Sequence, residues 1–164
     1  MKKNLLILFG FLPTFSLIAQ QNEFKQQTDV PTIIKYTFKE KYPNVVAAKN
    51  WKKENETYIG KFRWNKKKYE AIFDENGKWV KTFIIIKWKE VPEVVKVAYK
   101  KSAYIEWKID NIIQVDSSSE PIVYIIVLDN QFNFPITEYS SIFYDTNEVY
   151  ISEHGQIIKV QKKG

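Results

Sequence analysis

The apolar positions of this chain change their spacing along its length, and the changes mark out its elements. Val30, Ile34, Phe38 and Tyr42 recur every fourth residue, with Ile33 beside them. That spacing predicts one apolar stripe on an amphipathic helix. Asp29 stands where it could cap that helix, Pro31 suits its first turn, and Pro43 ends it after Tyr42. Val91, Val95 and Tyr99, flanked by Val94 and Ala98, set the same stripe after Pro92. Period two follows each helix. Tyr58, Phe62 and Trp64 alternate with Lys61 and Arg63, and Tyr69, Ala71 and Phe73 alternate with Lys68, Glu70 and Asp74. Both runs read as half-buried strands. Asp74-Glu75-Asn76-Gly77 predicts the hairpin between two strands, with Gly77 supplying the positive φ of a type I turn plus bulge. Segments 45–52 and 78–88 complete a first set of four strands. A second set is expected near 105–115, 122–129, 137–145 and 148–152, then a hairpin at Glu153-His154-Gly155 and a terminal strand.

Internal similarity runs through these elements. Val30 to Lys35 resembles Val91 to Lys96, Phe38-Lys39 resembles Tyr99-Lys100, and Thr57 to Ile59 resembles Val123 to Ile125. A fourth match sets Tyr69 to Phe73 against Tyr139 to Phe143. Four matches in one order predict a tandem repeat. The expected organisation is a polar segment over 20–28, a first helix-plus-four-strand unit over 29–89, and a second over 90–164. The class is α+β, with both units forming one continuous antiparallel sheet that carries its helices on one face.

The N-terminal end has a different character. Lys2 and Lys3 precede an uncharged, largely apolar run from Leu5 to Ala19. This is the order of a secretory signal peptide, with Leu17 and Ala19 at −3 and −1 for cleavage between Ala19 and Gln20. The run is short for a membrane span, which needs roughly 20 residues. Residues 1–19 are therefore expected to direct the chain to the periplasm or outside the cell, with no membrane span left after cleavage. Losing Lys2 and Lys3 lowers the formal charge from +6 to +4, since no acid leaves with them. That balance does not suggest a dedicated nucleic-acid binder. The chain has no Cys, which excludes disulfides, Cys-ligated zinc and thiol nucleophiles. Its 5 Trp, 10 Tyr and 11 Phe can supply a core without them.

Several of these features resemble the PepSY-like, or β-lactamase-inhibitor-like, family of exported bacterial proteins. They are the Val-Pro start of each helix, the Tyr42-Pro43-Asn44-Val45 stop, Trp51, and the Tyr69 to Trp79 hairpin with Phe73-Asp74 and Gly77-Lys78. The resemblance implies a helix packed on a four-stranded sheet, often in tandem, and binding or inhibition of another protein without catalysis. The second unit departs from the pattern, with Asn147-Glu148-Val149 where the first has Gly77-Lys78-Trp79.

The residues themselves offer little chemistry. The sole histidine, His154, falls in a turn with no partners at ligand spacing, and no Gly-x-Ser-x-Gly elbow presents a nucleophile. Glu54/Glu56 and Asp74/Glu75 lie in turns, where acids are common for conformational reasons. No catalytic residue, metal ligand or cofactor is assigned. Basic residues stand beside aromatics at Lys61 to Trp64 and Lys66 to Tyr69, but alternation sends the aromatics to the opposite face from the cations.

If Tyr58, Phe62, Tyr69 and Phe73 face the helix, Ile59 and Ile72 face away, as do Ile125 and Ile142, joined by Val127 and Tyr144. A half-solvated sheet is expected to be polar there, and an apolar patch often marks a protein-binding surface. The alternative is that the sheets or a tail cover that face, or that the strands are simply central. The leading expectation is an exported, non-enzymatic binding module that inhibits or sequesters a protein partner such as an envelope hydrolase. Ile59, Ile72, Ile125, Val127, Ile142 and Tyr144 would supply contact, and Lys61 and Arg63 would steer an acidic partner. Two other readings are a ligand-binding or enzymatic α+β fold with a pocket between helix and sheet, and a binder of envelope polyanions.

Overall fold

Pro31 cannot continue a helix backwards, and helix α1 (Thr32–Lys41) begins immediately after it. The computed structural model describes residues 29–129 and 146–163. The expected signal segment, the polar segment, the strand at 137–145, Ile142 and Tyr144 lie outside these residues. Asp29 does not cap α1: the N-cap position is Pro31, with no side-chain cap bond, and Asp29 stands too early to reach the first turn. The stripe turns inward as expected at Val30, Ile34 and Phe38, whereas Ile33 stays exposed.

After α1 come β1 (Lys49–Glu54), β2 (Thr57–Trp64), β3 (Lys67–Asp74) and β4 (Trp79–Ile86). A 3-10 turn (Trp88–Glu90) leads into α2 (Glu93–Lys100), followed by β5 (Lys108–Ser117), β6 (Val123–Asp129), β7 (Thr146–Ser152) and β8 (Ile157–Lys163). The strands form one antiparallel sheet in the order β1 to β8, each bonded to its neighbours in the chain. The first strand is shorter than expected. Val45 is drawn under the end of α1, its N–H donating to the Tyr42 carbonyl at 3.0 Å, and pairing starts only at Lys49.

Register defines the two faces. Phe62, Tyr69, Ile84, Gln114, Tyr124 and Ile151 lie opposite one another in one row across β2 to β7. This is the helix side. Phe38 of α1 meets Phe62 and Phe73 with ring centroids 5.1 and 6.3 Å apart, and α2 packs against β7. Both helices share one core, in which Ile34, Phe73, Val95, Ile126, Leu128, Val149 and Ile151 are fully buried. Each such side chain contributes roughly 1.5–3 kcal/mol of transfer free energy.

The β3–β4 and β7–β8 turns are built alike. In the first, Gly77 N–H donates to the Asp74 carbonyl (3.0 Å), Asp74 N–H to the Lys78 carbonyl (2.9 Å), and Lys78 N–H to Asp74 Oδ1 (2.8 Å). In the second, Gly155 N–H donates to the Ser152 carbonyl (2.9 Å), Ser152 N–H to the Gln156 carbonyl (2.9 Å), and Gln156 N–H to Ser152 Oγ (3.1 Å). Gly77 and Gly155 have φ of 84° and 80°, the left-handed region that favours glycine. Each turn also rests on a helix, Gly77 against Ile33 and Gly155 against Val94. Asp74 and Ser152 thus hold matching places in their turns, while the matched segment Tyr139 to Phe143 lies outside the described residues.

Candidate partner-binding face

The face turned away from the helices follows from the same register. One row runs Lys61, Glu70, Phe83, Val115, Val123, Ser152, and the next runs Arg63, Lys68, Ile85, Ile113, Ile125, Tyr150. A third holds Ile59, Ile72, Lys81 and Ser117. The two rows that cross most of the sheet are cationic over β2 and β3, apart from Glu70, and apolar over β4 to β6.

Ile59 and Ile72 are cross-strand partners on this face, both half-buried. Val127 is half-buried on β6, opposite Glu148 of β7. Ile125 also points away from the helices but is only 7% exposed, outside the helix-side core cluster. It is therefore packed among its neighbours rather than offered as a contact. Lys81 and Ser117 separate the Ile59–Ile72 pair from β6 along its own row. The apolar continuity of the face comes instead from Phe83, Ile85, Ile113, Val115 and Val123. Phe83 to Ile86 is apolar without alternation, and such a run hides which residues point which way.

At the β1 end the face becomes concave. A cleft of about 770 Å³ lies between the 44–47 segment and the sheet, and Lys49, Lys61, Arg63, Lys68, Phe83, Ile85 and Ile113 are among its lining residues. A bulge sets the cleft's edge. Asn50, at φ 54°, lets two residues of β1, Asn50 and Trp51, oppose Gly60 of β2. Lys49 thereby faces Lys61 on the open side, while the Trp51 indole lies over Gly60 on the helix side. Glu70 pairs with Lys61 at 2.7 Å. At the far end of the row, burial and then Glu148 push the Tyr150 phenol up to about 12. Tyr150 donates to Glu148 Oε2 at 2.7 Å, and Lys159 Nζ stands 4.1 Å from its ring centroid.

The helix side is filled. Rings of Phe38, Tyr42, Trp51, Phe62 and Phe73 occupy the space between α1 and the sheet, which corrects the expectation of a helix–sheet pocket there. A buried polar group beside these rings is Thr82, 1% exposed. Thr82 Oγ1 accepts from Trp79 Nε1 at 2.9 Å and shares a hydrogen bond with the Tyr42 hydroxyl. Lys41 Nζ lies 3.3 Å from the centroid of the Trp79 ring. This cluster ties the end of α1 to the centre of the sheet. His154 stands exposed in the β7–β8 turn, and among the described residues no three of His, Asp and Glu gather as a metal site.

No protein-family model and no curated protein matches the chain. Solved structures do. A DUF2874 family protein from Bacteroides ovatus is 20% identical with a TM-score of 0.70, the match covering 82% of this chain and 89% of that one. A BLIP-like protein from Bacteroides fragilis is 20% identical with a TM-score of 0.69, covering 84% and 92%. A candidate periplasmic protein from Bacteroides eggerthii is 16% identical with a TM-score of 0.68, covering 82% and 89%. What is shared is the fold. The β-lactamase-inhibitor-like part of the sequence resemblance has its counterpart in the BLIP-like neighbour; none of these neighbours carries the PepSY-like name. Among the described residues no helix is long and apolar enough to cross a membrane.

Proposed function

We propose that this chain is an exported, non-enzymatic binding module that holds a protein partner against the open face of its sheet. The observation that carries the reading is the block formed by Phe83, Ile85, Ile113, Val115 and Val123 on the face opposite both helices. An antiparallel sheet of purely structural purpose would carry polar residues there. The BLIP-like and candidate periplasmic neighbours support a binding role in the cell envelope, and the N-terminal segment supports export after cleavage between Ala19 and Gln20. The like-built turns at Gly77 and Gly155 favour a duplicated helix-plus-four-strand unit, whose two halves join edge to edge to make a face wide enough for a partner. Stable protein interfaces bury at least about 1,000 Å² in total.

Affinity capture from envelope extract tests this, with the wild-type chain compared with the Ile72→Lys and Val115→Lys variants. Both residues are half-buried on the open face and lie outside the cleft's lining. The variants should lose the captured partner while keeping their urea midpoint. Unchanged capture, or variants that fail to fold, would rule out the open face as a docking surface.

A further inference from the structure

The corner of the open face at β1 to β3 is charged in a way that the fold itself does not need. Lys49 lies opposite Lys61, and Arg63 lies opposite Lys68. Like charges directly opposite on neighbouring strands destabilise a sheet. Glu70 relieves Lys61 alone; Lys49, Arg63 and Lys68 form no ion pair among the described residues. Beside this corner the floor turns apolar at Ile85, which is 40% exposed, and Ile113. The wall opposite carries Val46, 95% exposed.

We propose that the cleft seats an extended acidic segment of a protein partner, with carboxylates and apolar side chains alternating along it. The inference rests on the open-face reading and names the chemistry of what that face takes. Lys61 and Arg63 stand two residues apart on β2, about 6.8 Å at strand rise, which is also the spacing of alternate side chains on an extended ligand. Such a chain, lying along the β3–β4 boundary, turns one edge to the cations of β2 and β3. Its other edge meets the apolar residues of β4 and β5. Its carboxylates neutralise the opposed cations, so binding removes a repulsion present in the free protein. The cleft volume of about 770 Å³ lies within the range of roughly 300–1,000 Å³ usual for bound ligands.

The test uses fluorescence anisotropy of a labelled pentapeptide alternating glutamate and leucine, titrated with the purified chain. Lys68→Glu should weaken binding at least about tenfold. The same substitution sets an acid opposite Arg63 and should raise Tm by about 1–4 °C. Weaker binding in a more stable protein cannot be a folding defect. Arg63→Glu, placed opposite Lys68, should act alike. A peptide with serine in place of leucine should bind several-fold more weakly. Equal binding of the serine peptide would reveal a general polyanion site and overturn the proposal. So would unaltered binding in both charge variants, or no binding to the wild-type chain. If Ile72→Lys abolishes partner capture while Lys68→Glu leaves peptide binding intact, the open-face reading stands and the cleft assignment fails.

Discussion

Gly60→Ala sets two effects of opposite sign against each other. Gly60 lies on the helix side of β2 between Tyr58 and Phe62, where its backbone is ordinary strand. Alanine there narrows the unfolded ensemble and on that ground stabilises by about 0.4–1 kcal/mol. The Trp51 ring, however, lies flat over the position. An added Cβ would stand 2.7 Å from Cη2, 2.8 Å from Cζ3 and 3.0 Å from Cζ2. The indole is not free to swing away, because its ring centroid is 5.7 Å from that of Phe38 and 6.0 Å from that of Phe73. Overpacking a fitted site costs about 1–3 kcal/mol. The clash should win, leaving a net loss of about 1–2 kcal/mol, which urea denaturation followed by circular dichroism would read as an earlier midpoint at unchanged slope. The decisive measurement repeats the substitution in a Trp51→Ala background. With the indole gone, only the chain-entropy effect remains and Gly60→Ala should become stabilising. The same cost in both backgrounds would refute the assignment of Gly60 as the seat of the indole.

Three further outcomes follow from the turns and from the cluster beneath α1. Gly77→Ala and Gly155→Ala should each cost at least about 1–2 kcal/mol, since both positions have positive φ. Gly155→Ala should be the worse by urea midpoint, because its Cβ would meet the backbone carbonyl oxygen of Val94 at 2.8 Å, whereas at Gly77 it meets the Ile33 side chain. Thr82→Val keeps the shape but strips the acceptor from Trp79 Nε1 and the partner from Tyr42, for an expected loss of about 1–3 kcal/mol. Burial raises the Tyr42 phenol to about 12, against a lowering by its Thr82 hydrogen bond. A folded pKa above the unfolded value near 10 leaves its contribution intact below about pH 10 and removes it as pH rises through about 12. Urea midpoints at about pH 7 and 11.5 should therefore converge more closely in Tyr42→Phe than in the wild-type chain.

The helices and hairpins were legible because their signals are local. Stripes at Val30, Ile34 and Phe38 and at Val91, Val95 and Tyr99 locate buried helix faces without knowledge of the partner surface. Gly77 and Gly155 mark turns that their φ values require. Alternation through Tyr58 to Phe62 and Tyr69 to Phe73 assigned Ile59 and Ile72 to the open face. The cleft was hidden for equally physical reasons. Lys49 reaches the open face only through the bulge at Asn50, a change of phase that a strict two-residue period cannot foresee. Ile85 sits in the run Phe83 to Ile86, apolar at every position, and Ile113 is adjacent to an equally apolar Ile112, so neither residue carries a phase of its own. The last hairpin was legible too: a strand expected at 148–152 and a turn at Glu153-His154-Gly155 correspond to β7 and the β7–β8 turn.

The order of strands has a consequence for how the chain reaches its native state. Every strand bonds to the one made before it, so most pairings close through short turns at little entropic expense, as at Asn55-Glu56 and Asn65-Lys66. Among the described residues the longest interval between paired strands is 87–107, which contains α2 and precedes the β4–β5 ladder. A topology this sequential keeps contact order low for a sheet of its width and favours rapid assembly. Strands β1 to β4 need nothing downstream to find their register, so the sheet can grow from its N-terminal edge in the order in which its segments become available.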